Sequence, residues 1–170
     1  MILTKGDYMV STTRNKAGIT IVSTNACINT YENLVMGAGA AGKAKIIWPG
    51  IARKAGDYLL ERAESTEIFQ VGPYHREYKL ISPDYLFFTI RWPTGEEIGF
   101  LQVKRRFDQP ADIDLLTISV AALRSFHHRN PDMVKHLNFP GIGNGRLQRE
   151  DVLPIISDIL DSDKFIVFER

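Results

Sequence analysis

Residues 18–22, Gly-Ile-Thr-Ile-Val, form a continuous apolar, β-branched run, the pattern of a strand buried on both faces. Ile2-Leu3 before Lys5-Gly6-Asp7 predicts a short first strand closed by a turn. From residue 37 the pattern changes to small residues and then apolar ones, up to Pro49, which predicts a glycine-rich turn opening a helix. Residues 51–64 place Ala55, Leu59 and Ala63 four apart with Leu60 alongside, the spacing of a helical face. Residues 67–71 predict a strand stopped by Gly72-Pro73, and residues 85–90 and 98–103 predict a hairpin around Pro93-Thr94-Gly95. Residues 112–127 predict a helix with a buried stripe of Leu115, Leu116, Ile118, Ala122 and Leu123. Asp112 and Asp114 near its start and Arg124 near its end suit the helix dipole, and His127-His128 reads as a solvated helix end. A strand over 133–139, a helix over 149–160 and a closing strand over 165–168 complete the chain. The alternation predicts an α/β fold with helices on both faces of a sheet.

Two segments share one design, a strand and then a glycine-rich turn at a helix start. They are residues 35–42, Val-Met-Gly-Ala-Gly-Ala-Ala-Gly, and residues 141–147, Gly-Ile-Gly-Asn-Gly-Arg-Leu. Glycine allows positive φ and close approach to backbone amides, and a helix N-terminus presents unpaired N–H groups. Two such loops suit the two phosphates of a diphosphate. The first loop also loosely fits a dinucleotide fingerprint, but the acid which that fingerprint needs, Asp57, falls inside a predicted helix. The phosphate-loop signature is absent, because Ala44 follows Gly42-Lys43.

Composition adds constraints. The chain has 170 residues, 44% of them apolar, enough for a single domain over residues 1–170 with a substantial core. A net charge of +1 argues against holding nucleic acid by bulk phosphate neutralisation. Residues 1–56 nevertheless carry seven Lys/Arg against two acids, a net of +5. The lone Cys27 excludes an internal disulfide and a Cys-rich zinc site, and fits a reducing, cytoplasmic setting. No run approaches the roughly 18 apolar residues of a membrane span, and no signal peptide is visible. No metal site is expected, since His127-His128 lacks carboxylate or Cys partners at ligand spacing.

Lys5-Gly6-Asp7, Asn25-Ala26-Cys27-Ile28-Asn29 followed by Met36-Gly37-Ala38-Gly39-Ala40-Ala41, and Pro140-Gly141-Ile142-Gly143-Asn144-Gly145 together resemble the macrodomain family over nearly the whole chain. Residues 100–106 and 146–152 bring it nearest to the terminal ADP-ribose protein glycohydrolases and the antitoxin macrodomains that remove ADP-ribose from DNA. The resemblance implies a three-layer α/β/α fold with a mixed central sheet. It implies binding of ADP-ribose, or of a protein or DNA that carries it, by a monomer without cofactor. Asp7 would accept from the adenine amino group, and Phe168 is a candidate to stack on adenine. Asn25 and Asn29 would lie near the distal ribose. Met36, Gly37, Ala38, Gly39, Ala40 and Ala41 would form the first phosphate loop, and Gly141, Ile142, Gly143, Asn144, Gly145 and Arg146 the second. Lys104 would be the nucleophile of a glycosidic hydrolysis, which requires a neutral amine. The catalytic acid of that branch is missing, because Gly145 runs straight into Arg146-Leu147 and the next acids are Glu150 and Asp151. A non-catalytic binding module and an ADP-ribose 1″-phosphate phosphatase are therefore kept as alternatives. On this reading Asp7→Ala weakens ADP-ribose binding by roughly 1.5–3 kcal/mol through loss of a charge-assisted hydrogen bond, measured by calorimetry; unchanged affinity removes Asp7 from the adenine role.

Overall fold

The computed structural model describes residues 1–6 and 18–169. In chain order the elements are β1 (Ile2–Lys5), β2 (Ile19–Thr24), β3 (Cys27–Asn29), α1 (Gly39–Ile47), α2 (Ile51–Arg62), β4 (Ser65–Val71), β5 (Arg76–Ser82), β6 (Phe87–Arg91), β7 (Glu97–Gln102), α3 (Ile113–Arg129), β8 (Lys135–Asn138), α4 (Arg149–Ile159) and β9 (Phe165–Glu169). The β-branched run is β2, and it sits inside the main sheet between β8 and β7. That sheet has the order β1-β9-β8-β2-β7-β6. Its neighbours pair in parallel except for β6, which folds back antiparallel on β7.

Side-chain alternation divides the core into two layers. Val22 of β2 and Ile98 and Phe100 of β7 face Ala41 and Ala44 of α1 and Ile51, Ala55 and Leu59 of α2. Ile19 and Ile21 of β2 and Leu101 of β7 face Leu116, Val120 and Leu123 of α3 and Val152 and Ile156 of α4. The fold is thus a three-layer α/β/α arrangement around a mixed sheet. On the first face a ladder of rings runs from α2 into the sheet, with Tyr58 stacked on Phe88 at 4.3 Å and Phe88 on Phe100 at 4.6 Å.

Several elements differ from expectation. A second sheet, ordered β3-β5-β4, contains the predicted strand over residues 67–71 as β4, but its partners β3 and β5 escape the hydrophobic pattern. Its strand β5 carries Arg76, Glu77 and Lys79, and only Ile81 of β5 is buried. Cys27 lies in β3 and is fully buried, where burial pushes its thiol up to about 11. On α3 the buried stripe runs through Ser119 and Val120, while Ile118 is 55% exposed. Asp112 caps α3 by accepting from the amides of Asp114 at 2.9 Å and Leu115 at 3.1 Å.

His127 is not a solvated cap but a buried residue. Its Nδ1 lies 2.8 Å from Nζ of Lys135, itself fully buried, which also donates to the carbonyl of Asn130 at 2.5 Å. Lys135 thereby satisfies a carbonyl at the C-terminal end of α3 from the neighbouring strand. Burial, reinforced by the Lys164 charge, lowers the Lys135 amine to about 8. The loop before α1 is set by an equally close contact. Oδ1 of Asn29 accepts from the amides of Tyr31 and Asn33, both at 3.0 Å, and curls the chain into a turn. That turn rests directly on α2: a Cβ at Gly56 would lie 1.9 Å from the carbonyl oxygen of Glu32.

Two outcomes follow from these contacts. Gly56→Ala forces the turn off α2 and destabilises the protein by about 3 kcal/mol, seen as a lower urea midpoint. For Lys135 the folded state binds fewer protons than the unfolded state between pH 8 and the ordinary lysine value, so the charged form opposes folding below about pH 8 and that opposition fades as pH rises. The stability of the native protein relative to Lys135→Met therefore increases from pH 8 to pH 10 in thermal melts, and a pH-independent difference contradicts this.

Candidate functional site

β2 and β8 are neighbours, but the chain leaving β2 leads to α1 on one face and the chain leaving β8 leads to α4 on the other. Diverging connections open a crevice at the carboxyl ends of the strands, the usual ligand position in such sheets. A cavity of about 960 Å³ lies there, at the upper end of the roughly 300–1,000 Å³ usual for small-ligand sites. Every parallel strand contributes its end: Gly6 after β1, Thr24 of β2, Val103 after β7, Asn138 of β8 and Glu169 of β9.

One wall is the first glycine loop. Met36, Gly37, Ala38, Gly39, Ala40 and Ala41 all line the cavity. The amide of Val35 donates to the carbonyl of Cys27 at 2.9 Å, and the amide of Leu34 to the carbonyl of Ala52 at 2.9 Å. Asn25 also lines the cavity, and its carboxamide braces this loop, donating to the carbonyl of Val35 at 2.9 Å and accepting from the amide of Cys27 at 2.9 Å. Ala38 caps α1 without a side-chain acceptor, so the N-cap itself supplies no partner to the helix's first amides.

The opposite wall is the second loop. Gly141, Ile142, Gly143, Asn144, Gly145 and Arg146 line the cavity. The loop ends in a 3₁₀ turn over Gly143–Gly145 rather than running into a helix, and α4 begins only at Arg149. Gly141 has φ +79°, and a Cβ there would meet Leu116 at 2.7 Å, so the position requires glycine for both conformation and space. The carbonyl of Gly145 accepts from the amide of Ala111 at 2.8 Å, tying the loop to the chain before α3. The two loops approach closely: a Cβ on Gly39 would lie 3.6 Å from Nδ2 of Asn144.

The two ends of the cavity differ in charge. At one end lie Lys104, Phe107 and Arg146. Nζ of Lys104 donates to the carbonyl of Phe107 at 3.1 Å and reaches that of Asn144 at 3.5 Å. Burial, and then the Arg146 charge, hold the Lys104 amine below the ordinary lysine value, with Asp108 acting in the opposite direction. Arg105 is paired with Asp84 at 2.8 Å and Asp112 at 2.9 Å, and Arg106 with Asp108 at 2.8 Å. At the other end Phe168 and Glu169 stand beside Gly6. Glu169 is the one carboxylate among the described residues that line the cavity.

The structure therefore gathers Asn25, Lys104, both glycine loops and Phe168 around one cavity. Asn29 does not line it and serves the turn described above. Glu150 and Asp151 lie in the first turn of α4 and do not line it either. Asp7 lies outside the described residues. Sequence reasoning passed over Phe107, Asn138 and Glu169; Asn138 and Glu169 close β8 and β9, and Phe107 lies in the segment between β7 and α3. Among the described residues no group of three or more His, Cys, Asp or Glu side chains could hold a metal ion. No helix among them is long and apolar enough to cross a membrane.

The arrangement defines an α/β protein whose crevice is walled by two backbone loops. Among solved structures this architecture is that of the macrodomains. The macrodomain of Thermus aquaticus DarG superposes with a TM-score of 0.63 at 16% identity, over 98% of this chain and 95% of that one. The macrodomain of Mycobacterium tuberculosis DarG gives 0.58 at 19% identity, over 99% and 98% of the two chains. Thermosipho africanus DarTG in complex with ADP-ribose gives 0.63 at 16% identity, over 98% of this chain and 41% of that one. Neither a family model nor a curated protein matches the sequence. This chain has the macrodomain fold.

Proposed function

We propose that this chain, as a single macrodomain unit and a monomer, binds ADP-ribose in the cavity between its two glycine loops. The observation that carries the reading is the pair of facing backbone loops, one of them opening α1, at the carboxyl ends of the strands. Backbone N–H groups at a helix start and in glycine turns suit a diphosphate. A similar fold solved with ADP-ribose, that of Thermosipho africanus DarTG, supports the choice of ligand. The adenine lies toward Gly6 and Phe168, with Asp7 following directly in the chain. The distal ribose lies toward Lys104.

The same placement supports hydrolysis of the bond between ADP-ribose and a protein or DNA. The neutral amine of Lys104 attacks the anomeric carbon of the distal ribose, and the acceptor leaves with the bonding pair and takes up a proton. Water then releases ADP-ribose from the lysine. Burial and Arg146 both favour the neutral amine, the form the attack needs. A second reading, binding without turnover, is favoured by one observation: no carboxylate among the described cavity-lining residues stands at the Lys104 end to supply the proton.

One experiment separates the readings. Incubation with ADP-ribosylated protein and ADP-ribosylated DNA releases ADP-ribose if the first holds, and Lys104→Ala abolishes the release while calorimetry still detects ADP-ribose binding. Tight binding with no release from either substrate selects the second reading. No binding of ADP-ribose removes both.

A further inference from the structure

Lys104 stands outside any helix or strand, between β7 and α3, yet the residues on both sides of it are pinned. On one side the amide of Val103 donates to the carbonyl of Thr24 at 3.0 Å, and the carbonyl of Val103 accepts from the amide of Asp112 at 3.0 Å. On the other side the carbonyl of Arg105 accepts from the amide of Ala26 at 2.8 Å. The neighbouring side chains then part. Lys104 lines the cavity and Arg105 does not. The Arg105 guanidinium instead bridges two carboxylates, Nη2 to Oδ2 of Asp84 at 2.8 Å and Nη1 to Oδ2 of Asp112 at 2.9 Å. Each carboxylate is fixed through its other oxygen as well. Oδ1 of Asp112 caps α3, and Oδ1 of Asp84 accepts from Nε2 of Gln102 at 2.9 Å. Gln102 is fully buried, and it also holds Leu86, two residues beyond Asp84. Its Oε1 accepts from the amide of Leu86 at 3.1 Å, and its own amide donates to the carbonyl of Leu86 at 2.8 Å. Leu86 has φ +66°, a conformation that a bulky side chain adopts only where its surroundings impose it.

The bridge therefore ties the β5–β6 connection and the start of α3 to the residue beside Lys104. Its two ion pairs are partly exposed, and such pairs contribute little to stability. What the fork supplies is direction, because a planar guanidinium between two fixed carboxylates has one orientation. The charges that act on the Lys104 amine are those of Arg146, Asp108 and Cys27, so the bridge bears on the amine through the backbone. We propose that Arg105, held between Asp84 and Asp112, is a positioning residue that keeps the Lys104 amine half-buried at the ribose end of the cavity. The inference rests on the proposed role of Lys104 and adds residues outside the cavity that the glycine loops do not supply. Displacement of an attacking group by about 1 Å is enough to slow a reaction strongly.

NMR of the full chain labelled with carbon-13 lysine tests it, by following the Cε resonance of Lys104 with pH. The signal is assigned by its loss in Lys104→Arg. In Arg105→Ala the amine is expected to titrate at higher pH than in the native protein, toward the ordinary lysine value, because a loosened amine gains water. Arg105→Lys keeps a cation without the fork and shifts the titration in the same direction. Release of ADP-ribose from the ADP-ribosylated substrates falls about tenfold in Arg105→Ala, and its rise with pH moves upward, since the attack needs the neutral amine. ADP-ribose affinity by calorimetry stays native, because neither glycine loop is touched, and the urea midpoint checks that the variant is folded. An unmoved Lys104 titration in Arg105→Ala overturns the inference. So does a loss of rate matched by an equal loss of affinity at native pH dependence, the mark of a general loosening. If the native protein releases no ADP-ribose, the hydrolysis reading fails, and the titration still decides this inference.

Discussion

The site depends on backbone that is held rigidly around a helix start with no side-chain cap of its own. Helix starts leave N–H groups without intrahelical partners. At α1 the N-cap residue, Ala38, has no side-chain acceptor to give them. Such a helix start is useful only if the chain leading to it cannot shift, and here the restraint is steric. The turn over residues 30–34 lies so close to α2 that position 56 has no room for a Cβ. The Leu34 and Val35 amides then dock on Ala52 and Cys27, and Asn25 braces the loop from below. The second loop is fastened in a comparable way, by Gly141 against Leu116 and Leu147 and by the Gly145 carbonyl on Ala111.

Electrostatics complement this scaffold. A chain with a net charge of +1 has no broad excess of cations with which to hold an anion, and the loops do not need one, since amide dipoles and a helix start supply partial positive charge. Titratable side chains stand at both ends of the cavity. Lys104 and Arg146 stand at one end and Glu169 at the other. The +5 balance of residues 1–56 belongs partly to this design, since Lys43 lines the cavity. It belongs partly to the surface, since Arg53 pairs with Glu32 and Asp57, and Lys54 lies over the Trp92 ring at 4.9 Å.

How much was legible in the sequence followed burial. β2, the β6–β7 hairpin and the four helices announce themselves because one or both faces enter the core, and the two glycine loops because few other residues tolerate that geometry. Of the β3-β5-β4 sheet only β4 is legible, as the predicted strand over residues 67–71; β3 is three residues long and β5 carries charges along its length, so neither shows a hydrophobic period. His127 was misread because its partner, Lys135, reaches it from the next strand, a tertiary contact with no local signature. Asn29 was read toward the ribose, yet its oxygen shapes a turn; a side chain that binds its own backbone looks the same in sequence as one that binds a ligand. Phe107 and Glu169 carry no motif, and only the fold brings the β7–α3 connection and the end of β9 to the cavity.

The central claim is that two backbone loops hold the diphosphate of ADP-ribose. A crystal structure of the protein with ADP-ribose tests it most directly. The account predicts phosphate oxygens within hydrogen-bond distance of amides in both the 36–41 and 141–146 segments, with the distal ribose beside Lys104. A nucleotide bound elsewhere, or one whose phosphates touch neither segment, would contradict it.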